Sequence, residues 1–269
     1  MTADTKTIDE FLAENPDVDV SRAWERCWGV LADIKSRIGA RFETELHPDC
    51  RGREYYTSPD GAFEGSFQAW TGPKMDWLVH SWLGNRKASI LDMNATAWLG
   101  QETDVPHFVM VFGTIPKLFF YFDFTPRRNL LTSPDYLDRY YAPINERYLA
   151  LRGDERFQWS VSHGPYMRAL TNPSTQSLMG DLNDENISVL ETYANDMLDT
   201  WLGWLDDAET VPAAERAALQ RDDFMTRQLC YERDPMNKLA VQVFGENEVD
   251  SMIALRQGRA QMRARLAER

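Results

Sequence analysis

Large apolar residues recur at intervals of three and four between Val20 and Ile38. This spacing places them on one face of an α-helix, which can pack against a core. Asp19 and Ser21 stand at the start of the periodic stretch and are residue types that cap helix N-termini. The sequence therefore predicts an amphipathic helix near its N-terminus.

After Pro48 the pattern changes to short segments rich in β-branched and aromatic residues. Turn sequences separate these segments: TGPK, GNRK, GQETDVP and TIPK. Connections this short cannot contain crossover helices, so consecutive strands must run antiparallel. The sequence predicts an antiparallel meander of five strands over residues 62–70, 75–82, 88–99, 106–113 and 117–124.

Helical periodicity returns in the second half of the chain. Ser133 can cap a helical segment over 133–153, and apolar spacing from Ile187 to Leu205 predicts a long amphipathic helix. Further helices are predicted over 212–229, 234–244 and 247–267, and an extended pair over 158–169 and 176–180. Helices before and after the strands predict an α/β fold, a three-layer α/β/α sandwich with a central antiparallel sheet. We expect an N-terminal arm over 1–18 and a single domain over 19–269.

Composition narrows the class of partner. The chain carries 29 Lys and Arg against 42 Asp and Glu, a net charge of −13, which argues against nucleic acid or an anionic membrane as a partner. No stretch approaches the roughly 18 apolar residues that a membrane-spanning helix needs. Arginines concentrate near the C-terminus, where they either dock an acidic protein or form a solvated helix face: Arg256, Arg259, Arg263, Arg265 and Arg269.

The cysteines and the N-terminal sequence indicate the cellular compartment in which the protein is expected. Cys27, Cys50 and Cys230 have no CxxC spacing and cannot all pair, which is typical of reduced thiols. The start, MTADTKTIDEFLAENPDVD, is acidic and lacks the pattern of a signal or transit peptide. We therefore expect a cytoplasmic protein, and a bacterial cytoplasm in particular.

Sequence motifs of familiar active sites are absent. The chain has no GxGxxG, P-loop, HExxH, GxSxG or zinc-spaced Cys/His cluster. Its four histidines are far apart in sequence, so no metal site is predicted: His47, His80, His107 and His163. The residues alone indicate an aromatic-rich α/β sandwich without a nucleotide motif.

Four segments resemble red chlorophyll catabolite reductases and ferredoxin-dependent bilin reductases. VPHFVMVFGTIPKLFFYFDFTPRRNLLTSPDYLDRYYAP, residues 105–143, is similar to two family strands followed by D-x-x-P/H-R-[KR]-x-L and PDYL-x-x-YY. MDWLVHSWL, residues 75–83, resembles a family strand that ends in SW. VLETYANDMLDTWLGWL resembles a family helix, and ERDPMNKLAVQVFGENEVDSMI, residues 232–253, resembles a DP…FG-[EK] element that both branches share. The segments follow one another in the family's order.

The resemblance implies an α/β/α sandwich that holds an open-chain tetrapyrrole between its sheet and its C-terminal helices. It implies no bound redox cofactor and single-electron transfers from reduced ferredoxin as partner. The expected function is ferredoxin-dependent reduction of a bilin or chlorophyll catabolite. Two alternatives stay open: another cofactor-free reaction on a conjugated substrate, and a non-catalytic tetrapyrrole-binding protein. A homodimer is also left open.

Two residues are candidate proton donors. The resemblance aligns Asp234 with a carboxylate beside the pyrrole rings, and a carboxyl near an apolar ligand has a raised pKa that suits proton donation. Alternatively, Asp234 caps a helix that begins at Pro235. His80 lies where bilin reductases carry a substrate-contacting histidine, which could pass a proton to a ring carbonyl. The alternative for His80 is a hydrogen-bonded histidine at a strand end.

Val111 is a departure from the family pattern. Both branches carry an acidic residue after [HNC]-F-x-[MV], where this chain has Val111 after the sequence HFVM. A valine cannot donate a proton. Protonation must therefore come from elsewhere, with His80, His107 and Asp234 as the candidates, or the reaction itself differs.

The remaining candidates concern ligand binding and docking. Guanidinium groups match carboxylates bidentately, so the resemblance assigns Arg127 and Arg168 to the propionates of a tetrapyrrole. The alternative for Arg127 and Arg128 is a loop salt bridge with Asp135 or Asp138. His107 and His163 are candidate pocket residues or structural histidines, and Asp123 is expected to be structural. Ferredoxin is expected to dock on Arg256, Arg259 and Arg263, or on the pair Arg127–Arg128.

Overall fold

The computed structural model describes residues 18–88, 90–115 and 117–267, so most of the predicted arm over 1–18, and Arg269, lie outside the described residues. The predicted N-terminal helix is confirmed as α1 (Ser21–Phe42). Asp19 Oδ1 accepts the Ser21 N–H at 2.9 Å where the helix begins. The helix ends at Glu43, whose φ of 50° is left-handed and turns the chain toward the sheet.

The strands of the described residues form one sheet with antiparallel neighbours throughout. Its order is β1-β3-β4-β5-β6-β7-β9-β8, with β2 beside β3. The five long strands pair in sequence order, which confirms the predicted meander. The strands are β1 (Glu45–Leu46), β2 (Tyr56–Thr57), β3 (Glu64–Thr71), β4 (Met75–Asn85), β5 (Ile90–Leu99), β6 (His107–Thr114), β7 (Leu118–Thr125), β8 (Phe157–Trp159) and β9 (Gln176–Gly180).

The helices after the meander agree with prediction except in two places. The predicted extended segment 158–169 is wrong in its second half, because Pro165 stands at a favoured first helical position and begins α4. The predicted helix over 247–267 is divided at Gly258, whose φ of 59° is left-handed. The helices are α2 (Pro134–Tyr140), α3 (Asn145–Arg152), α4 (Pro165–Ala169), α5 (Asp184–Asp206), α6 (Ala213–Glu232), α7 (Asn237–Phe244), α8 (Glu246–Gln257) and α9 (Arg259–Ala267).

One face of the sheet carries the main hydrophobic core. Alternate residues on β6 and β7 place large aromatic rings on this face, all fully buried beneath α1 and α5: Phe108, Phe112, Phe120, Phe122 and Phe124. Ion pairs join the two helices: Arg22–Asp184, Arg26–Glu191, Arg37–Asp199 and Arg41–Asp206. Helix α5 therefore lies beside α1 on this face of the sheet.

The C-terminal helices cover the other face. Tyr231 of α6 and Leu255 of α8 pack against a smaller cluster that includes Trp77 and Trp98. The Trp77 indole N–H donates to the Leu255 carbonyl oxygen at 3.2 Å, which fixes α8 on the sheet. Helices thus lie on both faces, and the predicted three-layer α/β/α sandwich is confirmed.

Candidate active site

A cavity of about 320 Å³ lies between the sheet and the C-terminal helices. Its floor consists of residues on β4 to β7, its roof of the end of α6, the following turn and α7, and a third wall of residues 159–171. The opposite face of β6 and β7 is filled by phenylalanines. The floor carries small groups on β5 and β6, namely Asn94, Thr96, Val109, Val111 and Gly113, beside the larger rings of Trp98, Phe119 and Tyr121. These small side chains leave room for a flat ligand between the two layers.

Asp234 lies in the roof of the cavity, in the turn between α6 and α7. Its Oδ1 accepts the Met236 N–H at 2.9 Å, so the side chain closes this turn. The capping alternative expected a helix from Pro235, whereas α7 begins at Asn237 and has Met236 as its N-cap. Burial raises the pKa of Asp234, and the nearby carboxylate of Asp92 acts in the same direction. The side chain can therefore close the turn, and its carboxyl group keeps its proton to a higher pH than an exposed aspartate does.

Asp123 lies in the floor on β7, and its side chain is almost entirely buried at 1% exposure. Burial raises its pKa to about 6, although hydrogen bonds from neighbouring hydroxyl and amide groups act in the opposite direction. The sequence assigned Asp123 a structural role. The signal that could have revealed it is a carboxylate inside the strand LFFYFDFT, which is otherwise almost wholly apolar.

Three other predicted site residues also line the cavity. Val111 lies in the floor, while His163 and Arg168 lie on the third wall. Arg168 Nη1 donates to the carbonyl oxygens of Ser162 and His163, both at 2.8 Å, which orders this wall. A side-chain carbon at Gly164 would approach Pro235 to 3.1 Å, so the His163 segment touches the Asp234 turn.

Arg256 brings a positive charge into the cavity. Its Nη2 donates to Asp92 Oδ2 at 2.7 Å, and both residues line the cavity. The sequence grouped Arg256 with the arginines of a docking surface. The structure instead places it at the end of α8, facing β5, where it is half-buried and has a carboxylate as its counter-ion.

His80 lies on the wrong face of the sheet for the role predicted from sequence. Its ring stacks on Trp28 of α1, with centroids 3.7 Å apart, and the residue is 5% exposed. Burial, helped by the charge of Lys35, lowers the pKa of His80 to about 3. The structure thus separates His80 from the cavity by the thickness of the sheet, and the prediction that it contacts substrate is not supported.

Arg127 and His107 also lie outside the cavity, in a buried network around Asp223 of α6. Arg127 Nη2 donates to Asp223 Oδ2 at 2.6 Å, and its other contacts are the carbonyl oxygens of Gly100 and Thr103. His107 Nδ1 accepts the Leu99 N–H at 3.0 Å, so Nε2 carries the proton that bonds Asp223 at 3.1 Å. Arg127 therefore ties α6 to the sheet instead of reaching a ligand in the cavity.

Electrostatics within this network are consistent with one ion pair and a neutral histidine. Burial lowers the pKa of His107 to about 4, against the pull of Asp223. Burial also opposes ionisation of Asp223, yet Arg127 and His107 together hold its pKa well below its usual range. Arg128 pairs with Asp104 and Glu215, so the predicted loop salt bridge forms with partners other than Asp135 or Asp138.

The described part of the chain holds neither a metal-binding cluster nor a helix that could span a membrane. Residues 18–88, 90–115 and 117–267 contain no group of three His, Cys, Asp or Glu side chains arranged to hold a metal ion. Within those same ranges, every helix is too short or too polar to cross a bilayer.

Comparison with known proteins identifies relatives across most of the chain. The family model described as red chlorophyll catabolite reductase (RCC reductase) matches residues 28–257. The chloroplastic red chlorophyll catabolite reductase of Arabidopsis thaliana is 26% identical over 250 residues, which cover 83% of this chain and 76% of that protein. Red chlorophyll catabolite reductase 1 of Oryza sativa subsp. japonica, also chloroplastic, is 26% identical over 265 residues, which cover 90% of this chain and 79% of that protein.

A solved structure has the same fold. The crystal structure of phytochromobilin synthase from tomato in complex with biliverdin superposes with a TM-score of 0.76 and 18% sequence identity. The match covers 87% of this chain and 84% of that one. The α/β/α arrangement of sheet and helices is therefore shared with that protein.

Proposed function

Because the chain belongs to the red chlorophyll catabolite reductase family, we propose that it is an enzyme that reduces an open-chain tetrapyrrole, either a bilin or a chlorophyll catabolite. Reduced ferredoxin supplies the electrons one at a time, and the protein binds no redox cofactor of its own. Two relatives named for the reduction of red chlorophyll catabolite, and a protein of the same fold crystallised with biliverdin, support this substrate class.

The observation that carries the proposal is the cavity, with carboxyl groups in both its floor and its roof. Reduction of one double bond of a tetrapyrrole consumes two electrons and two protons. Asp123 and Asp234 have raised pKa values, which suit groups that must be protonated at the moment of electron transfer. The guanidinium group of Arg168 offers positive charge for a propionate of the ligand, and Arg256, which is paired with Asp92, offers further N–H donors.

The decisive experiment has two stages. Biliverdin and other linear tetrapyrroles are first titrated into the protein while the visible spectrum is recorded, which tests binding. The complex is then incubated anaerobically with ferredoxin, ferredoxin reductase and NADPH, and the loss of conjugation is followed by absorption. Binding with reduction supports the proposal, whereas binding without reduction supports a non-catalytic tetrapyrrole-binding protein.

A second candidate function rests on Val111. Its apolar side chain stands in the cavity floor at a position where the resemblance led us to expect an acid. A member of the family repurposed for another cofactor-free reaction on a conjugated substrate would fail to bind the tetrapyrroles of the panel. The same spectral titration therefore separates this alternative from the first.

Electron delivery is proposed to involve Arg263, which is exposed on α9. Replacing Arg263 by Glu should lower ferredoxin-driven turnover several-fold at low salt, because the change puts a negative charge against an acidic partner. The loss should shrink as ionic strength rises, since the Debye length falls from about 30 Å at 0.01 M to about 3 Å at 1 M. Steady-state rates over a salt series measure this.

The matched control for Arg263 is Arg22→Glu, which makes the same charge change on α1 at the opposite side of the sheet. Arg22 is highly exposed, and its ion pair with Asp184 lies on the surface, so stability should change little. An equal loss of turnover in both variants, or a loss in Arg263→Glu that is independent of salt, would argue against docking at α9.

His80 is proposed to have no part in protonation. His80→Phe keeps an aromatic ring against Trp28 but cannot carry a proton. Turnover should stay within about twofold of the parent, well short of the roughly 100-fold or greater loss expected for an essential acid. A loss of that size in a variant that still unfolds at the parental temperature would return His80 to the mechanism.

Two expectations from the sequence stay predictions. A cytoplasmic location stays a prediction, and both curated relatives are described as chloroplastic. The association of two copies into a homodimer also stays open, and sedimentation of the purified chain would determine it.

A further inference from the structure

Asp123 is a carboxyl group that the fold directs into the cavity. Strands β6 and β7 pair with Val111 opposite Tyr121 and Val109 opposite Asp123. Side chains alternate along a strand, so these four residues share one face, and all four line the cavity. Val111 is the diagonal neighbour of Asp123, at roughly 7–8 Å for such positions. Asp123 is therefore the acidic group of this part of the floor.

The immediate surroundings of Asp123 are neutral hydrogen-bond donors. Oδ1 accepts from Asn172 Nδ2 at 2.5 Å, Ser174 Oγ at 3.2 Å and Thr175 Oγ1 at 3.1 Å, while Oδ2 accepts from Thr125 Oγ1 at 2.8 Å. Donors of this kind orient a carboxyl group without binding it to a fixed positive charge. Burial is the larger influence and raises the pKa to about 6, so about one side chain in ten is protonated at pH 7, far more than for an exposed aspartate.

The other carboxyl group of the floor has a different environment. Asp92 is paired with Arg256 at 2.7 Å and so serves as the counter-ion of that arginine. The titratable groups that interact with Asp123 are phenols and a thiol, whose pKa values burial raises far above neutral: Tyr121, Tyr141, Tyr193 and Cys230. They stay neutral while Asp123 gains or loses its proton.

We infer that Asp123 donates a proton to the bound tetrapyrrole from the floor of the cavity, while Asp234 donates from the roof. The inference rests on the proposed function. Two molecules of reduced ferredoxin each give up one electron, and the two carboxyl groups give up one proton each, which together saturate one double bond. Each carboxylate is reprotonated from water before the next turnover.

Asp123→Asn tests the inference with little disturbance of the fold. The amide Oδ1 can accept from Asn172 and Thr175, while the single hydroxyl proton of Ser174 turns to Asn172 Oδ1 at 2.7 Å. The amide Nδ2 can donate to Thr125, whose hydroxyl rotates to accept. Asparagine thus imitates the protonated carboxyl group but has no proton to give. Biliverdin affinity should stay within about threefold of the parent, while turnover at pH 7 should fall at least about 100-fold.

Thr125→Val provides a readout that a purely structural role would not change. The substitution removes one donor that favours the charged carboxylate and leaves the acid itself in place. The pKa of Asp123 should therefore rise. In the parent, the rate of protonation should decline as pH rises above about 6, and in Thr125→Val this decline should move to higher pH. Single-turnover absorption traces over a pH series measure the shift.

Each outcome bears on a distinct claim. Full turnover in Asp123→Asn, or an unshifted pH profile in Thr125→Val, overturns the role of Asp123 and leaves the proposed function standing. A parent chain that binds and reduces no linear tetrapyrrole overturns the proposed function, and the inference with it. Loss of turnover with retained binding in Asp123→Asn, together with the shifted profile, supports both.

Discussion

Asp234→Asn is expected to bind biliverdin nearly as well as the parent and to stop after the first electron. The side chain closes the turn before α7 through its Oδ1, and an asparagine Oδ1 can accept the same Met236 N–H. The change therefore keeps the backbone and removes only the proton. General acids contribute about 10²–10⁴-fold to the rate, so turnover should fall at least about 100-fold. A long-lived tetrapyrrole radical should then be visible by EPR.

The chain offers a matched control for this substitution. Asp19 Oδ1 accepts the Ser21 N–H at 2.9 Å, the same contact at the same distance, but at the start of α1 on the far side of the sheet. Asp19→Asn should leave turnover and the EPR spectrum as in the parent. If Asp234→Asn reduces its substrate at the parental rate, its carboxyl group has no role beyond the turn.

The architecture was accessible from sequence because it depends on local patterns. Short turn sequences between β-rich segments require antiparallel neighbours, and the spacing of apolar residues in α1 and α5 marks their buried faces. The side of the sheet on which a helix lies does not follow from such patterns. Helix α5 has an amphipathic face whichever layer it joins, and only its ion pairs with α1, such as Arg26–Glu191, distinguish the two arrangements.

The candidate site was predicted in part, and the errors concern features that only the folded chain determines. Asp234, His163 and Arg168 lie in segments next to turns, where the family resemblance could place them directly. His80 lies on a strand whose two faces are both buried, so its apolar neighbours give no sign of which face meets the cavity. The donors around Asp123, such as Asn172, are distant in sequence and meet it only in the folded chain.

Arg127→Met is expected to destabilise the fold by about 3–5 kcal/mol, because it leaves the carboxylate of Asp223 buried without its charged partner. The side chain of Arg127 has no solvent exposure, and its guanidinium contacts Asp223 at 2.6 Å. The ionised pair contributes fully above the unfolded pKa of Asp, about 3.9. This contribution falls progressively as pH drops from there toward the much lower folded pKa of Asp223. The free energies of unfolding measured in urea at pH 7 and at pH 3 should therefore differ less in the variant than in the parent.

Arg128→Met is the control, since the neighbouring arginine is partly exposed and its ion pairs with Asp104 and Glu215 lie near the surface. Such pairs contribute about 0–1 kcal/mol, so its unfolding midpoint should stay close to that of the parent. The folded fraction of Arg127→Met should also bind biliverdin with parental affinity, because Arg127 faces Asp223 and not the cavity. A variant as stable as Arg128→Met but with tenfold weaker binding would instead support the role in propionate binding that the sequence suggested.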